Sequence, residues 1–214
     1  ATVDIDSSSV VLSEFKSIVP FLEEFDTPIY LSSKGKLQSD TLKMPNLFIK
    51  YGEDFIIDTK LTVNNFENIN QTHFNADIKK IGVDFPKLFE IISYFTKKDI
   101  NINIPQKLNK LIYVGKLNGF LSDFHLNGTF ISLVGKVQSN INIAHQNKWD
   151  NFTIKGDLHS KKIDLGQALN NTNFGNTAFD VELSIDRIND NIDGYVDGNI
   201  LEFGFKNYDY QNLT

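Results

Sequence analysis

The side chains best suited to acid–base catalysis or metal binding are the four histidines, His73, His125, His145 and His159. A helical metal site places two histidines four residues apart, as in the HExxH motif, and no pair in this chain has that spacing. Each histidine falls in or beside a strand-like run, so a solvated or turn position is predicted for all four. The chain also has no GxSxG nucleophile elbow, no Walker loop and no GxGxxG loop.

An Asn/Asp-rich segment near the C-terminus has the outline of a calcium-binding loop. Asn189, Asn191, Asp193 and Gly194 follow the alternate spacing with which such a loop begins. The first ligand should be Asp and the twelfth Glu, whereas the chain has Asn189 and Ile200 there. The segment therefore predicts a hairpin turn rather than a metal site.

Asp180 and Asp186 lie six positions apart, which is an even spacing, and so belong to the polar face of one strand. No paired-carboxylate arrangement of the kind that glycoside hydrolysis needs stands out, which disfavours a carbohydrate-active β-solenoid enzyme. The residues thus predict a protein that is not an enzyme and uses neither a cofactor nor a metal.

The composition limits the kinds of molecule that the chain is expected to bind. The 214 residues include 21 Lys and Arg against 27 Asp and Glu, for a formal net charge of −6. Basic residues are scattered, which argues against a nucleic-acid partner, because phosphate binding needs clustered Lys and Arg. There is no cysteine, and no apolar run approaches the roughly 18 to 20 residues of a membrane-spanning helix.

Apolar and polar residues alternate over most of the chain. Phe179, Val181, Leu183 and Ile185, for example, are each followed by a polar residue. A period of two sustained over this length indicates half-buried antiparallel strands with one dry and one wet face. Ten or eleven strands are predicted, most of them joined as hairpins.

Two segments break the alternation with a helical period, and a third does so weakly. They are residues 12–22, with Pro20 inside the stripe; residues 86–95, opened by Pro86; and residues 166–174. Each is too short to be stable alone, so we expect it to lay its apolar stripe on the dry face of the sheet.

The order of strand-like and helical segments repeats more than twice along the chain. Leu12, Phe85 and Leu165 each end a strand-like run and open a helical segment, at spacings of 73 and 80 residues. Between these points, residues 28–40 match 111–123, residues 55–65 match 135–145, and residues 73–85 match 152–165. Repetition at this scale indicates stacked supersecondary units that share one core. The chain is predicted to be one continuous segment with approximate repeats at 1–85, 86–165 and 166–214, the last partial.

These observations predict a mainly β fold, in which one long, antiparallel, repeat-built sheet curls into an apolar groove (a β-taco) with short amphipathic helices between repeats. The residues expected to line the groove share an alternating position on the predicted strands: Phe55, Ile57, Leu61, Val63, Phe74, Ile78, Ile141, Ile143, Phe152, Ile154, Phe179, Val181, Leu183 and Ile185.

Several stretches resemble the modules of TamB, the translocation and assembly module subunit of the AsmA-like superfamily of bridge-like lipid transfer proteins. They are residues 115–124, 154–169, 179–186 and 192–200. The resemblance rests on order, spacing and the placement of small residues, and it covers nearly the whole chain. It implies a middle segment of a longer periplasmic protein that is anchored in the inner membrane outside this chain.

The resemblance further implies a role in outer-membrane biogenesis. The expected ligand is a phospholipid or another acyl-chain molecule, conducted between the inner and outer membranes. An outer-membrane barrel partner would be reached through parts of the parent protein outside this chain. The alternative left open by the residues is a structural or interaction module, a closed β-sandwich from a scaffold or surface protein.

Overall fold

Twelve strands form most of the part of the chain that the structure describes. The computed structural model describes residues 2–15, 17, 26–53, 55–96, 104–146, 151–189 and 191–213. The first six strands are β1 (Thr2–Val10), β2 (Ile29–Gln38), β3 (Thr41–Tyr51), β4 (Phe55–Asn64), β5 (His73–Asp84) and β6 (Lys110–Phe120). The remaining six are β7 (Asp123–Ser132), β8 (Gly135–Gln146), β9 (Asn151–Asp164), β10 (Phe174–Ile188), β11 (Asn191–Phe205) and β12 (Tyr208–Leu213).

All twelve strands belong to one antiparallel sheet in which spatial order equals chain order. The sheet is open, since β1 pairs only with β2 and β12 only with β11 among the described strands. The mainly β, antiparallel prediction is confirmed, with slightly more strands than the ten or eleven expected. A β-sandwich divides its strands between two facing sheets, whereas the described strands form a single one.

A helical segment follows every fourth strand. A 3-10 turn (Leu12–Phe15) follows β1, helix α1 (Phe85–Thr96) follows β5, and helix α2 (Leu165–Leu169) follows β9. The matched sequence segments are likewise four strands apart, because they contain β2 and β6, β4 and β8, and β5 and β9. The sheet is therefore repeat-like in its order of elements.

The helix predicted over residues 12–22 begins as the 3-10 turn, and its later positions Ile18, Val19, Pro20 and Leu22 lie outside the described residues. The segment predicted at 166–174 is helical only as far as Leu169, because Asn170 adopts a left-handed conformation with φ 51° that ends the helix. None of the described helices is long and apolar enough to cross a membrane.

The two α-helices begin in the same way. Asp84 Oδ1 accepts a hydrogen bond from the Lys87 backbone N–H at 3.2 Å, and Asp164 Oδ1 accepts one from the Gln167 backbone N–H at 2.9 Å. A carboxylate at the N-cap satisfies an amide that has no partner within the helix. An aspartate at the end of β5 and of β9 thus turns each strand into a helix at one edge of the sheet.

The sheet is interrupted by bulges where one strand carries an extra residue. The register of β3 shifts on both sides around Pro45, a residue that cannot donate to a strand ladder. Extra residues also lie at Lys79–Lys80 in β5 and at Lys161–Lys162 in β9. Bulges bend a strand and increase its local twist.

Candidate functional site

The fourteen predicted lining residues lie on one face of the sheet. Directly opposed residues on neighbouring strands share a face, and the register opposes Val63 to Phe74, Ile143 to Ile154, and Ile154 in turn to Ile185. The other members follow from these by the two-residue period of a strand. We call the surface that these fourteen residues define the apolar face.

The middle of the apolar face is supplied by β6 and β7, which contributed no residue to the predicted lining. Leu117 on β6 opposes Ala76 on β5, and Leu126 on β7 opposes both Leu117 and Ile141 on β8. Directly opposed apolar side chains therefore cross from β4 to β8. Because Ile141 itself opposes Gly156, the apolar face continues to β10 through Ile143, Ile154 and Ile185 instead. Gly115 and Gly119 on β6 and Gly128 on β7 occupy positions on this face where an apolar side chain would be expected. They weaken the alternation of apolar and polar residues in these two strands.

Burial divides the predicted residues into two groups. Val63, Ile78, Ile141 and Leu183 are only 7%, 3%, 8% and 8% exposed. The other ten are half-buried. The apolar face is thus well packed along its centre and partly accessible elsewhere.

The best-packed part of the apolar face is a cluster of Ala76, Ile78 and Tyr113, against which residues of β4 to β7 pack. The Tyr113 ring lies 4.9 Å from the Phe130 ring, centroid to centroid. Its hydroxyl donates to the Lys116 carbonyl oxygen at 3.0 Å. Burial of the phenol raises the pKa of Tyr113 above its ordinary value of 10.0.

The opposite face is a hydrogen-bonded polar surface. His125 Nε2 and Asn140 Oδ1 are 2.8 Å apart, and Asn140 Nδ2 donates to Asp157 Oδ2 at 3.3 Å. These contacts tie β7, β8 and β9 together across three strands. Asp186, on the same face, accepts a hydrogen bond from the Thr153 hydroxyl.

The structure keeps the four histidines apart in four different settings. His73 stacks edge-on against Phe120 at 5.1 Å between ring centroids, and His145 Nε2 lies 2.9 Å from the Leu121 carbonyl oxygen. His125 belongs to the hydrogen-bonded polar surface through its contact with Asn140, and His159 Nδ1 is 3.9 Å from Asp180 Oδ2. No group of three or more metal-ligating side chains occurs in the described part of the chain.

The Asn/Asp-rich segment forms the hairpin turn between β10 and β11, as predicted. Ile188 and Asn191 are the last paired residues, and Asn189 has a φ of 55°. The Asn189 backbone N–H donates to Asn151 Oδ1 at 2.8 Å, and the Gly194 N–H donates to Asp193 Oδ1 at 2.8 Å. Of the would-be calcium ligands, Asn189 thus lies in the turn, whereas Asn191 and Asp193 belong to β11 and oppose Ile188 and Asp186.

Comparison of the chain with protein-family models, with curated proteins and with solved structures finds no match. The geometry of the apolar face and the residues themselves are therefore the basis for a functional assignment.

Proposed function

We propose that this chain is a non-enzymatic β-groove segment that binds acyl chains along its apolar face. The observation that carries the proposal is the apolar face itself, to which every strand from β4 to β10 contributes apolar side chains on a single open sheet. In the described part of the chain, no second sheet covers this face. Ten of its fourteen residues are half-buried, and a contiguous, partly accessible apolar patch indicates an interaction or ligand-binding site.

The energetics favour a long ligand that is held weakly at every point. Each CH₂ group transferred from water to an apolar surface contributes about 0.8 kcal/mol. Strands about ten residues long span roughly 33 Å, and twelve strands at about 4.8 Å spacing span roughly 53 Å. An acyl chain that is held weakly and evenly along the apolar face can slide at little cost in free energy.

A curled groove is the shape we propose for the sheet, and three features support it. Bulges in β3, β5 and β9 increase local twist. In addition, Gly115 and Gly156 have φ values of 155° and 135° within strands, and glycine kinks of this kind curve a sheet. At the sheet edge, α2 also approaches the 3-10 turn Gln106–Leu108 that precedes β6, although three strand spacings separate β6 from β9.

The resemblance to TamB modules is the basis for the cellular setting that we propose. In the proposed role, the chain is a periplasmic segment of a TamB-like protein whose parent is anchored in the inner membrane. It conducts phospholipid between the inner and outer membranes and so supports outer-membrane biogenesis. Contact with an outer-membrane barrel partner is made by parts of the parent protein outside this chain.

Site-specific photo-crosslinking tests the proposal. Benzoyl-phenylalanine is placed at Phe179 on the apolar face or at its neighbour Asp180, which is exposed on the opposite face. With phosphatidylethanolamine or phosphatidylglycerol present, irradiation is expected to join lipid at position 179 and not at 180. Native mass spectrometry of the unmodified chain should show co-purified lipid.

Equal crosslinking at positions 179 and 180 would indicate nonspecific adsorption. Absence of crosslinking at both positions, together with absence of co-purified lipid, would overturn the proposal. Both outcomes are independent of whether the parent protein is TamB-like, so the binding activity and its setting are tested separately.

A further inference from the structure

A cavity lies on the polar face of the sheet, opposite the proposed groove. It has a volume of about 1020 Å³ and opens across β6 to β10 near the edge of the sheet where α2 begins. Three lysines line it, Lys136 from β8 and Lys161 and Lys162 from β9. The whole chain has a formal net charge of −6, so these three lysines form a local positive region on a protein that is acidic overall.

The bulge in β9 brings these lysines together. The register opposes Gly135 to Ile163 and Gln138 to His159, so β9 has one residue more than β8 between these pairs. Two consecutive residues of a bulge oppose a single residue of the partner strand, which allows both Lys161 and Lys162 to reach one cavity. The Ser160 hydroxyl donates to the Lys136 carbonyl oxygen at 2.8 Å and holds the two strands together at this point.

The lysines have no carboxylate partner among the described residues. None of the ion pairs in that part of the chain includes Lys136, Lys161 or Lys162. The one carboxylate in the described lining belongs to Asp164. Its Oδ1 and Oδ2 accept hydrogen bonds from the backbone N–H and the side-chain amide of Gln167, respectively.

The preceding repeat gives an internal comparison. It also has a lysine pair at a bulge, Lys79–Lys80 in β5, but there Lys79 Nζ lies 3.3 Å from Asp58 Oδ1. Asp58 precedes Thr59, which opposes Ile78, just as Gln138 precedes Ser139, which opposes Leu158. Position 138 therefore carries an uncharged amide where the earlier repeat carries an acid. Asp58 opposes Lys80 directly, whereas Gln138 opposes His159 and reaches the lysines through the shared cavity.

The same comparison shows that the third lysine, Lys136, has no lysine at the corresponding position of the earlier repeat. Lys136 occupies the place of Ile56, 80 residues earlier, on the same side of the sheet. The repeat fold is thus compatible with an apolar residue here and does not need a lysine. Relative to the earlier repeat, this site has one acidic residue fewer and one lysine more, and both differences make the cavity more positive.

The remaining lining suits an anion that is attached to an apolar body. Gln138 and Asn176 offer amide N–H donors, while Val114, Ile131 and Leu133 form an apolar wall. Leu133, in the turn between β7 and β8, is 71% exposed. An ammonium is an effective binder of phosphate oxygens, and an exposed leucine beside such groups is compatible with a lipid.

We infer that this cavity binds a phosphate monoester or diester, held by Lys136, Lys161 and Lys162. The phosphate is either the headgroup of an anionic phospholipid or a free phosphate ester, since both present the same anionic oxygens. This site is separate from the apolar face and does not depend on the groove function.

Binding assays with two kinds of probe distinguish the sources. Vesicles of phosphatidylcholine mixed with phosphatidylglycerol present a headgroup phosphate with net negative charge, and pure phosphatidylcholine vesicles are the background. Glycerol phosphate presents the free ester and is titrated by calorimetry. Binding to the mixed vesicles alone assigns a lipid headgroup, whereas binding to glycerol phosphate assigns a free ester. Binding of the intact chain to neither probe overturns the inference.

A triple variant, Lys136→Gln, Lys161→Gln and Lys162→Gln, tests the residues. We expect it to weaken binding on the order of 100-fold, with each lysine near an anionic surface contributing about a factor of five. The matched control is Lys60→Gln, Lys116→Gln and Lys155→Gln, which removes three exposed lysines from the same face outside the cavity. At ionic strength near 0.1 M, charges more than about 10 Å apart are largely screened, so the control should bind within about twofold of the unmodified chain.

A second variant keeps all three lysines. Gln138→Asp restores the acid found at Asp58 in the preceding repeat and is expected to weaken binding by neutralising the cavity. Equal losses in the triple variant and its control would indicate general electrostatic attraction and overturn the site. Crosslinking at Phe179 should be unchanged in every variant, so failure of this inference is distinguishable from failure of the groove function.

Discussion

The hydroxyl oxygen of Tyr113 lies 2.8 Å from the point where a Cβ on Gly128 would stand. Gly128 on β7 opposes Gly115 on β6, and the tyrosine side chain occupies the space above this pair. The absence of two side chains thus makes room for one large aromatic residue in the best-packed part of the apolar face.

Adding a methyl group at Gly128 should therefore disturb the cluster. We expect Gly128→Ala to lower the free energy of unfolding by about 1–3 kcal/mol, the usual cost of overpacking, as measured by urea denaturation. Gly35→Ala is the matched control, because the nearest atom to its added Cβ is Met44 Cγ at an ordinary 3.5 Å. The added Cβ would stand closer still to the Val114 carbonyl oxygen on β6, so similar stabilities of the two variants would refute the close packing of both β6 and the Tyr113 side chain against Gly128.

The buried phenol predicts a pH dependence of stability. Because burial raises the pKa of Tyr113 above 10.0, the folded chain holds the phenolic proton more tightly than the unfolded chain does. This group therefore leaves the free energy of unfolding unchanged below pH 10.0, and lowers it as the pH rises from 10.0 through the folded-state pKa.

Tyr113→Phe separates this contribution from that of the other tyrosines. Below pH 10.0 the variant should be about 0.5–1.5 kcal/mol less stable, because the hydrogen bond to the Lys116 carbonyl is lost. Above pH 10.0 the difference from the unmodified chain should shrink. Chemical denaturation on both sides of pH 10.0 measures it, and a difference that stays constant with pH would contradict the assignment.

Adjacent residues on β8 test which face binds acyl chains. Ile143→Asp places a carboxylate on the apolar face, and Asn142→Asp places the same group on the polar face one residue away. We expect the first variant to lose fluorescence enhancement of an apolar dye such as N-phenyl-1-naphthylamine, and the second to retain it.

Circular dichroism of both variants provides the necessary control. A carboxylate that faces an accessible groove remains hydrated, so the Ile143→Asp chain should keep its β spectrum. Global unfolding of this variant alone would mean that position 143 is sealed inside a packed core, where an unpaired charge is costly. That result would count against the groove.

The N-cap residue of α1, Asp84, is expected to contribute modestly to the stability of the chain. Asp84→Ala removes the acceptor for the Lys87 backbone N–H and the carboxylate that lies 3.9 Å from Lys110 Nζ. The free energy of unfolding should fall by about 1 kcal/mol, as measured by thermal or urea denaturation. Asp84→Asn retains a cap acceptor and should lose less. An equal loss in both variants would assign the effect to the ion pair instead.

The sequence predicted the strands and their faces well where apolar and polar residues alternate without interruption, as from Phe179 to Ile185. It located the helical segments after β1, β5 and β9, although the segment that begins at Leu12 is a 3-10 turn in its described part. It missed β6 and β7 as contributors to the apolar face, because Gly115, Gly119 and Gly128 take positions where an apolar side chain would carry the signal.

What the sequence determined alone is local: which residues point to which side, and where hairpins turn, since both depend on backbone geometry over two to four residues. The tertiary structure decided that all twelve strands join one open sheet in chain order and where bulges shift the register. It also brought Lys136 to Lys161 and Lys162, and Tyr113 over Gly128. These relationships depend on pairing between residues that are distant along the chain, which a period of two does not encode.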